Sequence, residues 1–407
     1  MNVMTLITDS YFDGVCHHAD GPYRIEIHDG VIARIERDQP AVPRSGQAIR
    51  APFVMPGLVE AHCHLFLDGA ELDLEKRKRY LSAPRDQMLE VGRRSLAENL
   101  AAGITLIRDA GDIHGINHEL RSELSRAGGV ASDLRSPGRA IRKAGRYGGF
   151  MAEEATDAQS IERTVRKLAE TADDLKILLT GIIDFEKGQM KGGVQFDLAE
   201  TRLIVAIARE HGLKTYAHCS GTDGLRIAVD AGIDSVEHGF FMDRRIVAEM
   251  ADKGIAWVPT FSPVWFQFEH PECCGWNEAS VERLNQILNR HFEHIAAAGD
   301  AGVPIVAGSD AGSCGVPHGK GLIDELMFHR RAGMSLEKVL ASATSTPRRL
   351  WNCSPADIVA GNNADLLVLG GSPFDSLENL RGCRRIFRGM LQFEIEPSLR
   401  KESFHAA

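Results

Sequence analysis

Short apolar runs alternate with longer amphipathic stretches through most of this chain. From about residue 100 to 335, helix-like patterns end in glycine and an apolar residue opens the next run. Examples are Ala102-Gly103-Ile104, His211-Gly212-Leu213, Ala231-Gly232-Ile233, Lys253-Gly254-Ile255, Ala301-Gly302-Val303 and Ala332-Gly333-Met334. Glycine just past a helix takes the left-handed conformation that closes the last turn. The runs 104–107, 175–179, 214–217, 235–236, 256–258 and 303–307 have strand length. Strands of that kind between helical patterns predict βαβ units and a parallel sheet. Roughly eight units fit between Pro56 and Arg349, which favours a (β/α)8 barrel over an open doubly wound sheet. No Gly-x-Gly-x-x-Gly follows the first run, which counts against dinucleotide binding.

The flanks carry a different period. Residues 23–35 alternate apolar and polar around Asp29-Gly30, a hairpin signal, and residues 364–369 and 385–389 read as further strands. The expected organisation is an α/β chain. A TIM-like barrel over residues 56–350 stands beside a small β-sandwich domain assembled from residues 1–55 and 351–407.

Composition narrows the function class. A chain of 407 residues that is 43% hydrophobic and 25% charged is globular. A net charge of −9 indicates no basic face for nucleic acid. No run approaches the ~18 apolar residues of a membrane span, and the N-terminus lacks the pattern of a signal peptide. Eight cysteines are scattered without a CxxC pair, as expected of a protein in the reducing cytoplasm.

The chemistry gathers where the apolar runs end. His62 and His64 follow the apolar residues 53–59, and residues i and i+2 of a strand point to one face. Two neutral imidazoles so placed can grip a metal ion. Lys176 lies inside the run 174–179, His218 ends 214–218, His238 ends 234–238 and Asp310 ends 303–310. Singly, each histidine could be a satisfied core residue and Asp310 a helix cap. Lys176 is harder to dismiss, because a buried ammonium without a partner costs several kcal/mol. Barrel chemistry sits at the C-terminal ends of strands, where all six fall.

Residues 56–64, 236–239, 308–312 and 361–369 resemble motifs of the amidohydrolase superfamily, in its binuclear subtype with a lysine bridge. Residues 103–111 resemble its prolidase-like and arginine-carboxypeptidase-like branch. The resemblance implies that His62, His64 and Asp310 hold one divalent ion and that His218 and His238 hold another. Lys176, carboxylated by CO2, would bridge the two. It further implies a shared hydroxide as nucleophile and Asp310 as the group that carries its proton to the leaving nitrogen. Zinc suits the histidine-rich shell best. A small substrate with an amide, carbamate or urea-type C–N bond follows, and a homo-oligomer is the family-level expectation.

The chain departs from the peptidase branch near the substrate. Relatives often carry a tyrosine two residues after the fifth-strand histidine, where this chain has Ser220. Their third-strand Gly-Gly-His-Gly is replaced by residues 144–150, in which Tyr147 either donates to the substrate carbonyl or is a plain loop residue. The aromatic stretch 257–268 either lines an apolar mouth or packs between helices or against a second subunit. Arg139, Arg142, Lys143 and Arg146 either receive an anionic group or stay solvated. Two rival readings remain. One is a mononuclear deaminase or cyclic-amide hydrolase of the imidazolonepropionase type. It is weakened by Gly221, which stands where such enzymes place a glutamate. The other is a non-catalytic scaffold, which the complete ligand set disfavours.

Overall fold

Gly57 divides one apolar run between two sheets. In the computed structural model, which describes residues 2–39, 48–128 and 132–395, the strand Ala48–Pro56 belongs to an outer sheet and Leu58–Cys63 to the barrel. A Cβ at Gly57 would stand 2.1 Å from Thr105 Oγ1 and 2.3 Å from Asp365 Oδ1, so only glycine fits the crossing. Arg348 and Arg388 both donate to Asp365 Oδ2, at 2.6 and 2.7 Å, and tie the two bodies together there. The expected boundaries 1–55 and 351–407 include residues 1, 40–47 and 396–407, which lie outside the described residues.

The barrel is made of short, buried parallel strands. Leu58–Cys63 pairs with Ile104–Asp109, which pairs with Asp133–Arg135. The third stave resumes at Ala140–Lys143, and Asp174–Leu178, Lys214–Cys219, Ser235–His238 and Ala256–Val258 follow in order. The eighth stave pairs too briefly to form a regular strand. It touches the seventh through Trp257 and Ile305, and closes on the first where Ala61 N donates to Ala307 O and Asp310 N to His62 O. Each stave is followed by a helix: Arg85–Ala101, Ile116–Arg126, Ala158–Ala169, Leu198–Glu210, Thr222–Ala231, Arg244–Lys253, Glu278–Ala301 and, after the eighth, Lys320–Arg331. The six glycines expected to end elements all have φ between +64° and +92°.

The small β domain is one eight-stranded sheet whose path takes in both ends of the chain. Tyr23–His28 and Val31–Arg37 form the hairpin expected around Asp29-Gly30. One face of the sheet has its own core, including Leu6, Ile25, Ile27, Val54 and Leu366. The other face sends Phe12, Phe53, Met55 and Leu367 into the main core shared with the barrel. The sheet therefore braces one side of the barrel and leaves its C-terminal mouth open. Among the described residues, no helix is long and apolar enough to cross a membrane.

Candidate metal centre

His62, His64, Tyr147, Lys176, His218, His238 and Asp310 all line one cavity of about 880 Å3 at the C-terminal mouth of the barrel. The strand ends bring them there. A strand end is where the ladder runs out and side chains can turn inward together. Two of the residues need unusual backbone: His238 has φ +67° and Asp310 φ +56°. Non-glycine residues hold such angles only where their surroundings enforce them, and functional sites concentrate them.

Each histidine is tied outward by one ring nitrogen. His62 Nδ1 lies 2.5 Å from Glu237 Oε2, and His64 Nδ1 lies 3.4 Å from Gly111 O. His218 Nε2 sits 3.0 Å from Gly181 O. His238 Nδ1 sits 2.6 Å from Thr260 Oγ1, whose own hydroxyl already donates to Pro259 O. Carbonyl, carboxylate and spent hydroxyl can only accept, so each tied nitrogen carries the proton. The other nitrogen of each ring is left as a lone pair. Burial holds all four rings neutral, with His64 pulled down to about 3, His218 to about 4, and His62 and His238 well below the usual range. Four neutral imidazoles with fixed tautomers are a ligand set ready-made for a divalent cation.

The free nitrogens converge. His62 Nε2 and His64 Nε2 stand 3.7 and 3.5 Å from Asp310 Oδ1, and the three ligand atoms lie within 4.8 Å of one another. The rings of His218 and His238 are 4.5 Å apart, and those of His62 and His238 are 5.0 Å apart. Two buried nitrogens beside them, Lys176 Nζ and His238 Nε2, have no hydrogen-bond partner among the described residues. Lys176 is 1% exposed and its Nζ is 4.9 Å from the centre of the Tyr216 ring. Burial lowers its pKa to about 8 and raises that of Asp310 to about 7. Lone pairs converging on one point are what a cation would satisfy, and Lys176 Nζ beside them wants an acceptor or a change of chemistry, so the residues fit a metal centre.

Sequence reasoning did not single out the layer behind these ligands. Glu60, fully buried, accepts from His62 N at 2.9 Å, Ser309 N at 3.0 Å and Ser309 Oγ at 2.5 Å, which locks the first stave to the eighth. Asp109 accepts from Leu65 N and Gly111 N and so shapes the turn beside His64. Burial pushes both carboxyls up to about 7. Arg108 lies between the rings of Tyr216 and Trp351, at 4.2 and 4.5 Å, and donates to Glu237 and to Ala61 O. A charged residue inside an otherwise apolar strand was the available signal, the same one that marked Lys176. Its partners lie too far along the chain to be read.

Two open readings are resolved by packing. None of residues 257–268 lines the cavity. Trp257 and Phe261 are buried. Phe261 stacks on Phe292 of the long helix at 4.4 Å, and Trp265 lies 5.1 Å from Phe328. The stretch packs between helices because those rings find apolar partners on two of them. Trp257 still serves the site from behind, since its Nε1 donates to His238 O at 2.9 Å. The basic cluster is likewise occupied: Arg139 pairs with Glu153, Arg142 with Glu154 and Lys143 with Glu200, while Arg146 donates to Gly192 O. Three of its four cations are thus paired with carboxylates, and the fourth is held at backbone carbonyls.

The mouth belongs instead to the segment after the first stave. Its helix Leu74–Tyr80 has no buried residue, and Lys76, Arg77, Lys78, Arg79 and Tyr80 line the cavity. Arg77 fastens it by donating to Asp68 O, to Glu71 O at 3.1 Å and to Gly312 O at 2.6 Å. Tyr80 OH donates to Phe66 O at 2.5 Å.

Comparison with known proteins bears on the family and the fold. The chain is 28% identical over 326 residues to an uncharacterized protein of Mycobacterium tuberculosis, covering 79% of this chain and 80% of that one. It is 25% identical over 389 residues to ochratoxinase of Aspergillus niger, covering 86% and 78%. The crystal structure of a Xaa-Pro dipeptidase with methionine in its active site superposes with a TM-score of 0.82 at 22% identity, covering 97% of this chain and all of the other. The model of the amidohydrolase family matches residues 53–393, from the last strand before the barrel to the last strand of the outer sheet. A match of that extent, over a barrel whose strand ends converge on histidines and an aspartate, makes this chain a member of the amidohydrolase family.

Proposed function

We propose that this amidohydrolase cleaves an amide-type C–N bond in a small substrate with two divalent ions. His62, His64 and Asp310 would hold one ion, His218 and His238 the other, with Lys176 as a bridging carbamate. The carrying observation is the outward tethering of all four rings, which leaves four neutral lone pairs on one cavity floor. Lys176 supports the bridge: a buried amine with nothing to donate to gains by adding to the carbon of CO2, releasing a proton and becoming an anion among cations. Zinc is the metal that imidazole and carboxylate donors of this kind suit best.

Divalent ions there supply Lewis acidity, which acidifies water and polarises a carbonyl. The chain's own groups do the rest. Asp310 faces the same point as the two histidines and is placed to take a proton at its carboxylate and pass it to the leaving nitrogen. Tyr147 lies with its ring 5.4 Å from that of His218, and burial keeps its phenol protonated, so it serves as a donor to the substrate carbonyl. The cavity admits a molecule of dipeptide, N-acyl amino acid or N-aryl amide, carbamate or urea size.

The test is the metal-to-protein ratio by elemental mass spectrometry, on protein expressed with zinc and bicarbonate, followed by a screen of those substrate classes. About two ions per chain with turnover of one class supports the reading. A ratio of one or below removes the bridged centre.

A further inference from the structure

The four tethering partners are not equivalent. Gly111 O, Gly181 O and Thr260 Oγ1 are neutral acceptors, whereas His62 alone donates to a carboxylate, Glu237. From this asymmetry we infer that Glu237 is a positioning residue that makes the two metal positions unequal, so that the ion held by His62, His64 and Asp310 binds more tightly than the one held by His218 and His238. The inference rests on the metal-centre reading above and adds a ranking that the reading lacks.

The geometry carries it in three steps. Glu237 is fully buried, and its Oε2 lies 2.5 Å from His62 Nδ1, at the short end for such a contact. A carboxylate in that position fixes the tautomer and pushes electron density through the ring onto Nε2, the nitrogen that faces Asp310. Its other oxygen is held by Arg108 Nη2 at 3.0 Å and Ser235 Oγ at 2.8 Å, so the carboxylate cannot swing away. Arg108 is itself fixed between Tyr216 and Trp351 and by its bond to Ala61 O. The chain of contacts thus runs from the barrel interior to one ligand of one metal position.

A mechanical consequence follows from the strand. Glu237 precedes His238 on Ser235–His238, so its side chain grips a ligand of the first position while the next residue belongs to the second. Neutralising Glu237 without changing its shape therefore weakens the His62 position and leaves the His238 lone pair in place.

The experiment is competition of Zn2+ against a chromophoric chelator, with the apo-proteins compared by near-ultraviolet circular dichroism and thermal unfolding. Wild type should give two separable dissociation constants. Glu237→Gln should weaken the tighter one by about 10- to 100-fold, so that the two draw together. Ser235→Ala, which removes only one donor to Glu237, should shift the same constant in the same direction by a smaller factor. Glu325→Gln, an isosteric change at a buried carboxyl that bonds Phe261 N and Ser262 instead, should leave both constants unchanged. Equal constants in wild type, or a tight constant unmoved within twofold in folded Glu237→Gln, overturns the inference alone. If Glu237→Gln does not fold, an unmoved tight constant in Ser235→Ala overturns it. A wild-type chain that takes up no zinc overturns the metal centre and this inference together.

Discussion

The floor and the rim of the cavity are built on opposite principles. On the floor, the six proposed ligands sit at barrel strand ends and are largely hidden from water, and each of the four histidines is tied by a residue from another stave or the loop after it. On the rim, the helix Leu74–Tyr80 buries nothing and is held mainly through backbone carbonyls reached by Arg77 and Tyr80. Residues that must meet a metal within tenths of an ångström need the rigidity of a packed barrel. A surface that meets substrate tolerates a looser attachment, because binding only needs the segment to be in place while substrate is bound. The same cavity therefore combines a packed floor with a rim held by a few side-chain bonds.

Perturbing each part should separate them. Lys176→Ala strikes the floor and should abolish bound metal and turnover together. The loss of several kcal/mol of Lewis-acid stabilisation corresponds to roughly a thousandfold or more in kcat/KM. Elemental analysis alongside a rate assay reads both, and a variant with two ions and full turnover would remove the bridge. Arg77→Ala releases the rim from the loop after Asp310. Expected are a fall of about tenfold in kcat/KM, faster proteolytic nicking between residues 69 and 84, and a Tm lowered by only a few degrees. If nicking is unchanged, Arg77 is not what fastens the helix. The smallest effect belongs to Lys78 and Arg79, exposed cavity cations with no ion pair among the described residues. Lys78→Ala with Arg79→Ala should raise KM about two- to threefold for anionic substrates at low salt, and leave neutral ones unaffected. Equal changes for both classes would mean that the rim shapes the entrance without selecting charge.

The contrast also marks what was readable along the chain. The barrel staves and their helices announced themselves by local period and by glycines at element ends. His62, His64, Lys176, His218, His238 and Asp310 drew notice because polar groups closing apolar runs are costly to explain otherwise. The expected boundary between residues 55 and 56 falls beside Gly57, but the division of one apolar run into strands of two different sheets was not legible, since the run crosses Gly57 without a break. The rim was missed because a helix with no buried residue has no apolar stripe to read. The aromatic stretch was visible but its direction was not, because a ring facing a cavity and a ring facing a helix look the same in sequence.

By itself the sequence determined the alternation of strands and helices, the β character of both ends and the residues whose chemistry is expensive to bury. All of these rest on interactions between near neighbours. Only the tertiary structure decided which nitrogen of each histidine faces inward, that Glu237 stands behind His62 across 175 positions, and that Arg77 ties the rim to the loop of Asp310. Those depend on the closure of the barrel, which sets side chains from distant strands within a few ångströms and leaves no trace in the spacing along the chain.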